Sequence, residues 1–147
     1  MIKDVYNWLM VAGVPQKGTP QQFELFHNLV LLEELEETTN AFRDKSKEDM
    51  IDGFVDLMWM ILNGSYMMGI TLDDLQNKID RVSYSNWTKF CTIENNAVET
   101  VEAYKNGTHP SKLGQPVEAY YEKVGDFYII KRVSDNKVLK SLDFVEP

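Results

Sequence analysis

Between Glu33 and Asp56 the chain gathers carboxylates at a density that costs energy. Glu33, Glu34, Glu36 and Glu37 fall within one short run, and Asp49, Asp52 and Asp56 follow at helical spacing. On a helix, like charges three or four residues apart repel by about 0.2–0.5 kcal/mol per pair, so water must solvate them or a cation must offset them. Their setting favours the cation. The stripe Phe23, Phe26, Val30 runs on at helical spacing into Glu33, Glu34 and Glu37 and then Ala41, while Leu31, Leu35 and Phe42 form a second apolar stripe. Acids on a helix covered on two sides do not face bulk water. Glu36 falls beside Leu29 and Leu32 instead and has the pattern of an ordinary solvated glutamate.

The second acidic segment repeats the arrangement. Asp49, Asp52, Asp56 and Asn63 share one helical face, with Ile51, Val55, Met58 and Leu62 on one apolar stripe and Phe54, Leu57 and Ile61 on another. An unpaired buried carboxylate costs several kcal/mol in lost hydration. Arg43, Lys45 and Lys47 lie at the connection between the two segments, away from the Glu34 to Glu37 turn, which leaves a metal ion as the simplest partner. If the two helices fold back on each other across that short connection, Glu33, Glu34 and Glu37 face Asp52 and Asp56. Hard oxygen donors with no His or Cys among them favour Mg²⁺ or Mn²⁺ over Zn²⁺. So many acids point to more than one ion, completed when a polyphosphate binds.

Five helices are expected to position these groups. The first covers Met1 to Ala12 and stops at Gly13; the second opens with Thr19, Pro20 and Gln22, a capping box with a first-turn proline, and runs to about Phe42. Ser46 with Asp49 caps a third that runs to Met68 and ends at Gly69. Thr71 with Asp74 caps a fourth to about Val82, and a fifth runs from Thr92 to before Gly107. From Val117 the pattern turns aromatic and β-branched. Phe127 to Val133 and Val138 to Phe144, separated by Ser134, Asp135 and Asn136, predict a hairpin, with Ala119 to Lys123 as a third strand. The expected fold is all-α: a bundle of about five helices over 1–116, with 117–147 as a β-hairpin extension of the same domain. A hairpin of that size needs the helices or another subunit to dock on.

Composition sets the bounds. A chain of 147 residues with 44% hydrophobic content can bury one core. A formal charge of −8 repels a phosphate backbone and argues against a nucleic-acid binder. The first ten residues lack the flanks of a signal peptide, and no apolar run approaches the roughly 20 residues that span a bilayer, so no membrane partner is expected. Cys91 stands alone, which excludes an intrachain disulfide and fits a reducing compartment, the cytoplasm, or the host cytoplasm if the chain is phage-encoded. Trp8, Trp59 and Trp87 are expected in the core or at an interface, His27 in a structural role, and His109 exposed in its loop.

The acidic segments carry a resemblance. Glu33-Glu34-Leu35-Glu36-Glu37 followed by Asp52-Gly53-Phe54-Val55-Asp56-Leu57-Met58-Trp59 resembles the MazG and phosphoribosyl-ATP pyrophosphohydrolase superfamily of all-α nucleoside triphosphate pyrophosphatases, whose pattern is E-x-x-E, a gap, then E-x-x-D. Glu34 and Glu37 match the first half and Asp56 the final aspartate. Gly53 stands where the second half has its glutamate; Asp52, or the pair Asp49 and Asp52, would substitute. Ser85-Asn86-Trp87-Thr88-Lys89 and Lys137-Val138-Leu139-Lys140 resemble segments of a phage-like branch.

The resemblance implies Mg²⁺-dependent conversion of a nucleoside triphosphate, with a deoxynucleotide favoured, to the monophosphate and pyrophosphate. It implies Glu33, Glu34, Glu37, Asp52 and Asp56 as metal ligands and one of Glu33, Glu34 or Asp52 as general base. Asn86 and Lys89 would bind phosphate or sugar, with Arg81 a weaker candidate, and Lys137 and Lys140 would reach substrate, in a neighbouring subunit if need be. A homodimer or homotetramer is implied, and two apolar stripes on each acidic helix call for the same cover. Two rival readings stand beside this one. Gly53 favours a non-catalytic oligomerisation or regulatory module with a degraded acid cluster, and a histidine-pathway pyrophosphohydrolase is weakened by the C-terminal hairpin.

Overall fold

The computed structural model describes residues 2–147, so Met1, the expected start of the first helix, lies outside the described residues. Its helices are α1 (Ile2–Val11), α2 (Pro20–Phe26), α3 (Leu32–Asp44), α4 (Lys47–Met67), α5 (Leu72–Trp87) and α6 (Glu94–Lys105), followed by strands β1 (Ala119–Val124) and β2 (Phe127–Arg132). A π-helical turn, His27–Leu31, joins α2 to α3 without a break, so the expected five helices are present with one of them interrupted. The chain divides into two compact units, 1–76 and 77–147, with the boundary inside α5. No helix among the described residues is long and apolar enough to cross a membrane.

Local signals set the ends of the first unit's helices. The Thr19 side chain accepts from the Gln22 N–H at 3.3 Å while the Gln22 side chain accepts from the Thr19 N–H at 2.8 Å, so two otherwise unpaired donors at the start of α2 are satisfied. Gly13 and Gly69 stop α1 and α4 at φ +74° and +75°, a conformation that costs a glycine least. The core lies between α1 and α4: Val5, Tyr6 and Leu9 bury against Leu62 and Tyr66. Each such side chain contributes about 1.5–3 kcal/mol by leaving water. Tyr6 meets Tyr66 edge to face at 5.3 Å and donates its hydroxyl hydrogen to the Ile70 carbonyl at 3.2 Å.

The π-helical turn alters the expected register. The Leu32 N–H reaches back five residues to the His27 carbonyl, which inserts one extra residue into the turn just before the acids. The Phe23, Phe26, Val30 stripe therefore does not continue straight into Glu33 and Glu37, as it would on a uniform helix; both glutamates are exposed. Nor are the flanking stripes covered within the chain, since Leu35 is 50%, Phe42 53% and Ile61 59% exposed.

In the second unit α6 packs on the hairpin, with Ala97, Val101 and Tyr104 against Cys91, Ala119, Ile130 and Leu139. The hairpin pairs two of the three expected strands, Ala119 to Lys123 with Phe127 to Val133, and leaves out Val138 to Phe144. β1 and β2 pair antiparallel from Ala119 with Arg132 to Val124 with Phe127, and they turn on Gly125 and Asp126, where Gly125 takes φ +58°. Val138 to Phe144 is not a strand. It makes one bridge, Lys131 with Val138, and Leu139 N–H donates to Ile130. Side chains then take over: Ser141 Oγ donates to the Thr88 carbonyl at 2.7 Å, and Thr100 Oγ1 accepts the Leu142 N–H at 3.2 Å. Backbone groups satisfied this way have no need of a ladder. Cys91 is buried, and burial pushes its thiol up, the setting of an inert cysteine. Trp8 and Trp87 are 55% and 57% exposed, outside the core, whereas Trp59 is half-buried against it.

Candidate active site

α3 and α4 are joined by Lys45 and Ser46 alone. Lys45 adopts the left-handed conformation that ends α3, and the Ser46 hydroxyl accepts from the Asp49 N–H at 3.4 Å to start α4. This tight reversal lays the two acidic helices side by side. Between them runs a groove of about 400 Å³ lined by Glu37, Asn40, Ala41 and Asp44 from α3 and Asp49, Asp52, Gly53 and Asp56 from α4. Five of those residues are carboxylates and none is cationic. Glu36 is exposed and outside the groove.

Glu33 and Glu34 sit one turn up α3 from Glu37, outside the groove lining, yet Glu34 is coupled to it. Its carboxyl is held above the ordinary carboxylate range, first by burial and then by the negative charges of Asp56, Glu37 and Glu33. Asp44 joins the groove although the sequence did not single it out. The signal was present, because Asp44 follows Glu37 by seven residues, two turns along the same helical face. Asp49, the alternative ligand, is also on the groove wall.

Gly53 explains itself by packing. A Cβ there would lie 2.4 Å from Thr38 Oγ1 and 3.1 Å from both Thr38 Cα and Cβ. Thr38 is itself buried, its hydroxyl donating to the Glu34 carbonyl at 2.8 Å. The two helices touch at this point, and a glutamate in place of Gly53 would push them apart.

The donor set suits a hard divalent cation: carboxylate oxygens on facing helices with no histidine or thiol among them. As the side chains stand, no group of three or more His, Cys, Asp or Glu among the described residues converges closely enough to hold an ion. Mutual repulsion accounts for this, since exposed carboxylates without a counter-ion turn outward to water.

The remaining sequence candidates belong to the second unit. Arg81 is exposed on α5. α5 runs five residues past the expected Val82, so Asn86 lies in its last turn and not after it, and accepts from Lys89 Nζ at 2.6 Å. Lys89, Lys137 and Lys140 line one cavity of about 320 Å³, together with Lys112 and Arg132, which the sequence did not single out because they lie far from both motifs. His109 is 2% exposed, contrary to expectation. It stacks on Tyr104 at 4.0 Å, and its Nδ1 accepts from the Ser111 N–H at 3.2 Å. His27 is exposed beside Asn28, not built into a core.

No characterised protein and no solved structure matches the chain. Ser85 to Lys89 and Lys137 to Lys140 lie beyond the family match, so likeness to a phage-type branch gains no support from it. That match spans the π-helical turn, both acidic helices and the groove: residues 11–83, just under half of the chain, are similar to the phosphoribosyl-ATP pyrophosphohydrolase family.

Proposed function

We propose that the chain is a Mg²⁺-dependent nucleoside triphosphate pyrophosphohydrolase, Mn²⁺ serving in its place, that releases pyrophosphate and a nucleoside monophosphate, with deoxynucleotides preferred. The groove between α3 and α4 carries the reading: five carboxylates line it without a cation, and Glu34 beside it is pushed up by burial and then by the charges of Asp56, Glu37 and Glu33. Such a surface is uncompensated in the free protein and becomes favourable when positive charge arrives.

Glu37, Asp52 and Asp56 of the groove, with Glu33 and Glu34 one turn further up α3, would hold the metal, and Asp44 and Asp49 line the same groove. When bound, the ions would neutralise the triphosphate and make a water more acidic. Water attacks the α-phosphorus, the bond to the bridging oxygen of the departing pyrophosphate breaks, and one of Glu33, Glu34 or Asp52 takes the proton. Arg81, Asn86, Lys89, Lys137 and Lys140 serve substrate. The exposed stripes at Leu35, Phe42 and Ile61 support a homodimer or homotetramer, because apolar faces of this extent on a small unit call for cover. Gly53 has a packing reason of its own, so its presence does not by itself argue for a non-catalytic module.

The test is a panel of ribo- and deoxynucleoside triphosphates with Mg²⁺, with products identified. Release of pyrophosphate and the matching monophosphate is expected; no release from any nucleotide, with Mg²⁺ or Mn²⁺, would overturn the proposal.

A further inference from the structure

The second unit concentrates positive charge in one place. Lys89, Lys112, Arg132, Lys137 and Lys140 all line the cavity of about 320 Å³, in a chain of net charge −8. Carboxylates match two of them: Arg132 pairs with Asp135 at 2.5 Å, and Lys140 pairs with Glu146 at 2.6 Å and stacks over the Phe144 ring at 4.0 Å. Lys89 has only the neutral Asn86 amide. Lys112 and Lys137 have no carboxylate within ion-pair distance among the described residues. Lys89 and Lys112 thus have no carboxylate partner, and the carboxylate that feels the Lys137 charge, Asp135, is already held by Arg132.

The cavity walls also carry neutral polar groups that the protein itself holds in place. The hydroxyls of Tyr104 and Ser111 line it, 3.2 Å from each other, and Tyr104 donates to the Lys140 carbonyl at 3.1 Å. Behind them the buried His109 accepts at Nδ1 from the Ser111 backbone N–H at 3.2 Å, which fixes the loop that carries Lys112. Cations gathered from α5's end, the Pro110–Lys112 turn, β2 and the 137–140 segment do not solvate one another. Several ammonium groups in one cavity match a ligand with several negatively charged oxygens.

We propose that this cavity is a phosphoryl-anion site of the second unit, engaging a di- or triphosphate group through Lys89, Lys112 and Lys137. It extends the substrate-binding role proposed for Lys89, Lys137 and Lys140 and adds Lys112 to it. The identity of the anion rests on the pyrophosphohydrolase reading; the existence of the site does not. Two sources share this chemistry, the polyphosphate of the hydrolysed nucleotide and a second phosphate-bearing ligand.

The experiment is calorimetric titration of the full-length chain with pyrophosphate and with tripolyphosphate in EDTA, which takes the acidic groove out of play. Saturable binding is expected, weakened about fivefold or more by Lys112→Ala and by Lys137→Ala, and further by both together. Lys123→Ala is the control for general loss of charge, because that ammonium lies over the Tyr128 ring and outside the cavity; it is expected to bind as the parent does. Thermal melts confirm that each variant is folded. No saturable binding by the parent at millimolar anion, unchanged affinity in the double variant, or equal weakening by Lys123→Ala would overturn the site. Kinetics then separate the sources: a raised KM for nucleotide in Lys112→Ala assigns the cavity to the substrate, and an unchanged KM with anion binding lost assigns it to a second ligand. If no nucleotide is hydrolysed at all, the function proposal fails while the titration still decides the site.

Discussion

Residues 1–76 hold 13 acidic and 5 basic side chains, whereas 77–147 hold 10 of each, so the whole formal charge of −8 resides in the first unit. The packing around the helices differs as well. In the first unit α3 and α4 meet along a narrow seam at Thr38, Ala41 and Gly53 and leave Leu35, Phe42, Phe54 and Ile61 open. In the second, α6 and the hairpin enclose Ala97, Val101, Tyr104, Ala119 and Ile130, and buried Thr100 and Ser141 tie the last segment down. Each unit buries a core of its own and each leaves large apolar side chains exposed. What sets the first apart is unmatched charge beside apolar stripes on the same two helices, two costs that further partners would relieve: cations for the acids and a second subunit for the stripes.

The strongest way to break this contrast is at the acids. Glu37→Gln or Asp56→Asn is expected to lower turnover by at least about 100-fold, while the metal-free protein melts at the same temperature or higher because repulsion is relieved. Glu36→Gln should be mild in both assays. Near-normal turnover in both groove variants would remove the case for this site. Millimolar Mg²⁺ should raise the parent's melting temperature, since an ion that binds only the folded form stabilises it, and the groove variants should lose that response.

The apolar stripes come next. Light scattering at micromolar concentration should find a dimer or tetramer, and a lysine at Leu35 or Ile61 should weaken association by about 100-fold, the cost of a charge in the middle of an interface. A monomeric parent would leave the first unit's exposure unexplained and sink the proposed assembly.

Gly53 offers a smaller, purely structural test. Gly53→Ala should cost about 1–2 kcal/mol, because overpacking of roughly 1–3 kcal/mol outweighs the better helix propensity of alanine. Thr38→Ala removes the atom at 2.4 Å but leaves Cα and Cβ at 3.1 Å, so the double variant should recover part of the loss and no more. Additive effects in that cycle would mean that the two helices do not touch there.

What the sequence disclosed was what local chemistry decides. The stops at Gly13 and Gly69 and the Thr19–Gln22 capping box are written in a few adjacent residues, and each is in place. The π-helical turn at His27–Leu31 has no such signature, and its extra residue changed which side chains share a face with the acids. Both strands of the hairpin are legible in the sequence, but Val138 to Phe144 reads as the closer partner because Ser134, Asp135 and Asn136 carry the stronger turn signal. That segment does turn, with Asn136 at φ +57°, but the two-residue Gly125-Asp126 turn closes the ladder. The burial of His109 and the convergence of Lys112 and Arg132 with the lysine motifs depend on contacts between distant segments, which no local pattern encodes.

The smallest expected effect is the most specific to the comparison, because acid should shift the two units in opposite directions. Glu34 is held above its ordinary 4.5 by burial and by Asp56, Glu37 and Glu33. The folded state therefore binds its proton more tightly than the unfolded state, and the metal-free first unit gains stability as pH falls from 7 through that raised value, with no further gain below 4.5. His109 is held below its ordinary 6.5, chiefly by burial. There the unfolded chain takes up the proton first, so stability present above 6.5 is lost as pH falls and levels off below the depressed value. Asp135, pushed down to about 2 by Arg132, starts to lose its contribution only below its ordinary 3.8 and leaves the window clear. Hydrogen exchange in EDTA at pH 7 and pH 5, corrected for intrinsic exchange and resolved into peptides from 1–76 and 77–147, should show protection rising in the first and falling in the second. Each change should be modest, no more than about tenfold in protection. Glu34→Gln should flatten the first response and His109→Gln the second. If both units move the same way, the electrostatic contrast between them is wrong.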